Sequence, residues 1–134
     1  MKCLLDTNIC IYVIKKKPVQ ALHQFSAYSV GELGVSAITA AELWYGAEKS
    51  QRPQENREAL AQFLLPLVLV AFDDRAAMVY GEIRAALEGA GKLIGPMDML
   101  IAAQAVSLGV VLVTNDVTEF SRVPGLVVEN WVEG

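Results

Sequence analysis

Apolar and polar positions along the chain switch between the period of a strand and that of a helix. Residues 2–5, Lys-Cys-Leu-Leu, make a short apolar run that stops at Asp6, as a buried strand does. Residues 9–14 are apolar throughout and fit either element by period. The Asp6-Thr7-Asn8 before them is an N-cap signal, which decides for helix. Pro18 opens a second helix with Val19, Leu22 and Phe25 on one face. A short strand is predicted over 33–36, helices over 39 to about 50 and 54 to about 65, and a strand over 67–71. From 73 to about 88, Ala77, Tyr80, Ile83, Ala86 and Leu87 recur at helical spacing. Gly89, Gly91 and Gly95 mark a loop, and Pro96 starts a helix that ends near Gly109. Residues 110–114 form a clear strand and 126–128 the last one.

Strands thus alternate with helical segments from one end to the other. That order predicts an α/β domain, a mainly parallel central sheet flanked by helices in three layers. No repeat, low-complexity stretch or linker divides the sequence, so residues 1–134 read as a single domain.

Composition supports a folded chain: 54% of the residues are hydrophobic and 19% charged. The richest apolar run, 63–72, is interrupted by Pro66 and falls short of the roughly 20 residues that span a bilayer. Lys2 is followed by a short apolar stretch that Asp6 breaks before a signal peptide can form. The expectation is a cytoplasmic protein with no membrane association. Cys3 and Cys10 sit in apolar surroundings, and no metal-ligand spacing accompanies them, so they read as buried free thiols. His23 is the only histidine, which leaves zinc sites and His-activated nucleophiles without their parts.

The chemistry lies in the acids. Asp6 directly follows the first strand, and Asp116 follows the 110–114 strand by two residues. Open α/β sheets bind ligands outside the carboxyl ends of their strands. Asp98 opens a helix near that rim, and Glu42 sits in the first turns of the helix after the second strand. Such carboxylates repel one another when ionised together, and a divalent cation relieves the repulsion. Mg²⁺ and Mn²⁺ favour hard oxygen ligands, and such ions activate water and stabilise a leaving oxygen in phosphodiester cleavage. Each acid also has a plainer reading. Asp6 is a candidate cap or turn residue, and Thr39-Ala-Ala-Glu42 fits a capping box. Asp98 lies in a first turn that favours acids, and Asn115-Asp116 fits an ordinary turn.

At these same residues the chain resembles a known family. Leu-Asp6-Thr-Asn8, then Ser-Ala-Ile-Thr-Ala-Ala-Glu42-Leu-Trp-Tyr-Gly46, then Ile-Gly-Pro-Met-Asp98-Met-Leu-Ile-Ala-Ala103, then Val-Thr114-Asn-Asp116-Val-Thr-Glu-Phe120 occur in order over essentially the whole length. Together they resemble the PIN-domain ribonucleases, and within them the VapC toxins of VapBC toxin–antitoxin pairs. The resemblance implies a three-layer PIN-like fold and endonucleolytic cleavage of RNA with Mg²⁺ or Mn²⁺. It places Asp6, Glu42, Asp98 and Asp116 as the catalytic, metal-binding acids. Asn8 and Thr114 match polar positions that orient the cluster, and Glu119, a short turn beyond Asp116, would hold a metal through water. It further implies a homodimer and a cognate VapB-like antitoxin that inserts into the active-site groove. The Lys15-Lys16-Lys17-Pro18 segment, with Ala-Glu-Lys-Ser-Gln51, looks like the subgroup that cuts structured tRNA.

Net charge is −4, which by itself opposes RNA binding. Setting the five acids of the site apart leaves +1, so RNA affinity would rest on the metal and on local cations. Lys15, Lys16, Lys17, Lys49, Arg52, Arg84 and Lys92 are the candidate RNA contacts. Tyr12, Trp44 and Tyr45 are candidates for base stacking, with core or interface packing the preferred reading. Ile9, Tyr12, Val13, Leu43 and Tyr45 would form an apolar groove for an antitoxin helix, or be ordinary core.

Two other classes share some of these features. A receiver or aspartate-nucleophile phosphatase also gathers acids at strand ends. A receiver, however, has paired acids after its first strand and a late lysine, and the phosphatase motif is D-x-D. This chain has a single Asp6 in Asp6-Thr7-Asn8 and no lysine after Lys92. A non-enzymatic interaction module on the same fold is opposed by the complete set of acids.

Overall fold

The structure is a computed structural model that describes residues 1–132. The last two positions of the single domain expected over 1–134 therefore lie outside the described residues. Five strands form one sheet: β1 (Cys3–Leu5), β2 (Leu33–Ser36), β3 (Val68–Val70), β4 (Val111–Val113) and β5 (Val128–Glu129). Their spatial order is β3-β2-β1-β4-β5, and every pairing among the described residues is parallel.

The helices between them are α1 (Thr7–Lys15), α2 (Val19–Ser26), α3 (Ala37–Glu48), α4 (Pro53–Leu64), α5 (Asp74–Gly89), α6 (Pro96–Leu108) and α7 (Val117–Phe120). Strand alternation splits the core in two. Cys3, Leu5, Leu33, Val35 and Val113 point into a cluster with α1 to α4, whereas Leu4 and Leu112 point into a cluster with α5, α6 and Phe120. This makes the three layers: helices, sheet, helices. Cys3 and Cys10 are buried free thiols, as expected. Burial, with the charge of Asp6 adding to it, pushes the Cys10 thiol far up, so it stays protonated. Among the described residues no helix is long and apolar enough to cross a membrane.

Two boundaries differ from the sequence reading in ways that matter. First, the third helix begins at Ala37, not Thr39, because Ser36 caps it by accepting the Ile38 N–H at 3.1 Å. Thr39 therefore sits inside the helix, buried, and the Thr39–Glu42 capping box does not form. Second, the turn at Asn115-Asp116 continues into α7, whose single turn of four residues is too short for a periodic signal. The last strand is also displaced, to Val128–Glu129 from the expected 126–128.

The chain lays down β1, β2 and β3 to one side, then returns to place β4 on the free flank of β1. The order reverses there, and a crevice opens at the carboxyl ends of β1 and β4.

Candidate active site

Asp6 leaves β1 into that crevice. It is 4% exposed, and its backbone N–H donates to the Val113 carbonyl at 2.9 Å, which extends the β1–β4 ladder by one rung. Its Oδ1 accepts the Thr7 N–H at 2.8 Å, so Asp6 does cap α1. Its Oδ2 accepts the Thr114 hydroxyl at 2.8 Å. Thr114, fully buried at the end of β4, also accepts the Asp116 N–H at 3.0 Å. One hydroxyl therefore holds both strand-end acids in register.

Asp116 is the cap of α7, its Oδ1 accepting the Glu119 N–H at 3.2 Å. Glu119 in turn accepts the Gly95 N–H at 2.7 Å through Oε1 and ties α7 to the loop before α6. Asp98 lies in the first turn of α6, with Pro96 at its start and Gly109 ending the helix in the left-handed conformation (φ 67°). Gly95 permits the close approach of these groups. A Cβ there would lie 3.1 Å from Asp98 Oδ2 and 3.6 Å from Glu119 Oε1.

Glu42 does no capping. It projects from the interior of α3, and its Oε1 accepts the Thr7 hydroxyl at 2.7 Å, while that hydroxyl lies 3.5 Å from the Thr39 hydroxyl. Thr7 was not singled out in the sequence. The signal available was its place one residue after the strand-end acid, where a hydroxyl reaches the next helix. Asn8, expected to orient the cluster, is exposed on the first turn of α1, and the hydrogen bond from that turn to Glu42 comes from Thr7 instead.

The electrostatics show how tightly the acids gather. Asp98 is pushed up to about 7, first by burial and then by the charges of Asp6 and Glu119, with Glu42 adding to them. Asp6 is raised by burial, and its bonds from Thr114 and Thr7 pull it back against the repulsion of Glu42 and Asp116. The ion pairs among the described residues are Lys2–Glu32, Arg52–Glu55 and Arg57–Glu48, and none reaches these five acids. The cluster is thus negative and crowded, with no ion pair to a basic side chain among the described residues. Among the described residues no three candidate ligands converge closely enough to enclose an ion by themselves. An open, all-oxygen set of this kind fits a hard divalent ion that keeps waters and takes substrate oxygens as further ligands.

The candidate RNA contacts are scattered. Lys15, Lys16 and Lys17 are exposed at the end of α1, and Lys15 lines a groove between α1, α3 and α4 together with Glu42. Lys49 lies over the Tyr45 ring at 5.0 Å, Arg52 pairs with Glu55, and Arg84 donates to the Tyr80 hydroxyl at 2.9 Å. Lys92 is exposed in the loop after α5. Core or interface packing is the preferred sequence reading for Trp44 and Tyr45; at 37% and 65% exposed they are not in the core, which leaves the interface alternative. Tyr12 is half-buried. Ile9 and Val13 belong to the core, Leu43 belongs to the core and also lines the groove as expected, and the side of α1 that borders the groove carries Ile11 and Ile14.

Comparison with known proteins agrees with this geometry. The PIN domain model matches residues 3–126. The chain is 47% identical to Ribonuclease VapC2 of Haemophilus influenzae over 98% of this chain and 99% of the relative. It is 43% identical to the tRNA(fMet)-specific endonuclease VapC of Shigella flexneri, over 98% of each. Its fold superposes on DNA-bound VapBC from Salmonella typhimurium with a TM-score of 0.93 at 42% identity, covering 98% of both chains. With four acids brought to one rim of a parallel sheet, and with sequence and fold matched over nearly their full lengths, the chain belongs to the PIN domain family.

Proposed function

We propose that this chain is the ribonuclease toxin of a type II toxin–antitoxin pair, an endonuclease that hydrolyses RNA phosphodiesters with Mg²⁺ or Mn²⁺. The observation that carries this is the crowding of Asp6, Glu42, Asp98, Asp116 and Glu119 at the carboxyl ends of β1 and β4 with no basic side chain paired to them. Asp6, Glu42, Asp98 and Asp116 are the residues that would hold the ion, with Glu119 acting through water. When bound, the ion supplies Lewis acidity for phosphodiester hydrolysis.

The chain's own groups set the rest. Thr114 and Thr7 donate to the Asp6 and Glu42 carboxylates and fix their orientation. Burial and the neighbouring acids raise the Asp98 carboxyl to about 7, and a bound cation would favour its ionised form. The reaction is hydrolysis: an oxygen of water bonds to phosphorus, the bond to the 3′ oxygen breaks, and that oxygen leaves with a proton. The products are a 3′ hydroxyl and a 5′ phosphate.

The relatives extend the reading. A substrate among the tRNAs follows from the Shigella flexneri endonuclease, and a VapB-like antitoxin partner follows from the VapBC assembly. We place the protein in the cytoplasm, as a homodimer when free of other partners.

The test is cleavage of total tRNA and of messenger RNA by the purified chain with Mg²⁺ or Mn²⁺, with and without EDTA, beside Asp6→Asn and Asp98→Asn. The expected result is tRNA cleavage that EDTA and both substitutions abolish. Cleavage that survives either would overturn the metal–carboxylate reading.

A further inference from the structure

Tyr12 is a half-buried residue of α1 whose hydroxyl accepts the Asn115 Nδ2–H at 3.0 Å, a contact that spans 103 positions of the chain. Asn115 stands between Thr114 and Asp116, so this bond brings the tyrosine hydroxyl to the loop that carries one of the site's acids. The same amide leaves its Oδ1 buried without a partner. Because the Tyr12 hydroxyl accepts in this bond, its own proton is left to donate elsewhere. Buried polar atoms without partners are rare and call for an explanation.

We infer that Tyr12 is an RNA-binding residue of this site. Its hydroxyl donates to a non-bridging phosphate oxygen of the substrate, and Asn115 is the positioning residue that turns that proton outward. The placement agrees with the rest of α1. Tyr12 follows Thr7 and Asn8 along the helix and precedes Lys15, which shares its groove with Glu42. A backbone phosphate seated at the acids would thus find a neutral donor on one side and a cation a turn away.

The inference rests on the ribonuclease reading, and the experiment separates the two. Tyr12→Phe keeps the ring and deletes only the hydroxyl. Affinity for labelled total tRNA is measured with Ca²⁺ in place of Mg²⁺, and cleavage kinetics are measured with Mg²⁺. The expected result is a loss of about 10-fold in affinity, appearing in KM and not in kcat, with an unchanged melting temperature. The dependence of affinity on salt keeps its slope, because no charge is removed, whereas Lys15→Ala lowers that slope by about one phosphate contact. Asn115→Ala should weaken binding in the same direction, and the double variant should be no weaker than the worse single one, since both act through one proton. A Tyr12→Phe chain that binds and cleaves like the parent overturns the inference and leaves the ribonuclease intact. So does one that only melts lower. A parent chain that neither binds nor cuts RNA overturns both.

Discussion

The Thr114 hydroxyl donates to Asp6 Oδ2 at 2.8 Å and joins two residues 108 positions apart. It links the end of the first strand to the end of the fourth at the level of the site, and it also accepts the Asp116 N–H. Thr114→Val keeps the shape and deletes the bond. The expected cost is about 1–2 kcal/mol of stability, because a buried carboxylate oxygen loses its donor. Cleavage should fall roughly 10- to 100-fold through weaker metal binding. Urea denaturation and Mn²⁺ titration of the same preparation measure the two, and Thr114→Ser should restore most of both.

Gly95 has an extended backbone that any residue adopts (φ −58°, ψ 146°), so substitution there acts on the site and not on the chain. In Gly95→Ala the new methyl meets Asp98 Oδ2 at 3.1 Å, tighter than ordinary contact. The expected result is a melting temperature within a few degrees of the parent and a loss of metal affinity of about 10-fold or more. Unchanged Mn²⁺ affinity would show that Asp98 moves aside freely.

Asp98 makes the metal-free protein sensitive to pH. Its carboxyl titrates near 3.8 in the unfolded chain and at about 7 in the folded one. Between those values the native state holds a proton that the unfolded state has released, so stability falls as pH rises from about 4 to about 7. Above 7 the loss is complete. The group is half-exposed, which makes the slope shallower than for a fully buried acid. Denaturation in EDTA at several pH values should show the fall for the parent relative to Asp98→Asn. Adding Mn²⁺ should abolish or invert it. A parent-to-variant difference that is flat in pH would refute this.

Gln104 is fully buried in α6, where its Oε1 accepts the Ser36 hydroxyl at 3.0 Å and its Nε2 donates to the Ala71 carbonyl at 3.4 Å. It ties the helix of Asp98 to the strand end that launches the helix of Glu42. Gln104→Leu leaves the proton of the buried Ser36 hydroxyl without its acceptor, while Ser36 still accepts the Ile38 N–H and Ala71 is exposed to water, so the change should cost roughly 1–2 kcal/mol. Chemical denaturation checks this, and a loss below about 1 kcal/mol would mean that the partners find other donors and acceptors.

The architecture was readable because its signals are local. β2 coincides with the expected 33–36, and β1 and β4 fall within their expected ranges, where apolar runs end at turn or cap residues. The helices lie within two residues of their expected starts for the same reason. What failed was also local. Thr39 outcompeted Ser36 as a cap in the sequence because the pairing with Glu42 fits a familiar motif, yet Ser36 had the extended backbone a cap needs (φ −68°, ψ 149°). Short α7 carries too few residues to show a period. At the site, the acids stood out by their positions after strands. The hydroxyls of Thr7 and Thr39 did not, because reaching Glu42 depends on how α1 packs against α3, which no spacing along one helix reveals.

The strand order has a consequence for how such a chain is made. β1 emerges first from the ribosome but lies in the middle of the sheet, and its second flank is filled only when β4 arrives. Asp6 meets Thr114 and Asp116 only after the segment that follows β4 has been synthesised. A truncated or still-growing product has an unpaired β1 edge and no assembled set of acids. The acid cluster is in this way assembled only once the β4 segment and the turn after it have been translated.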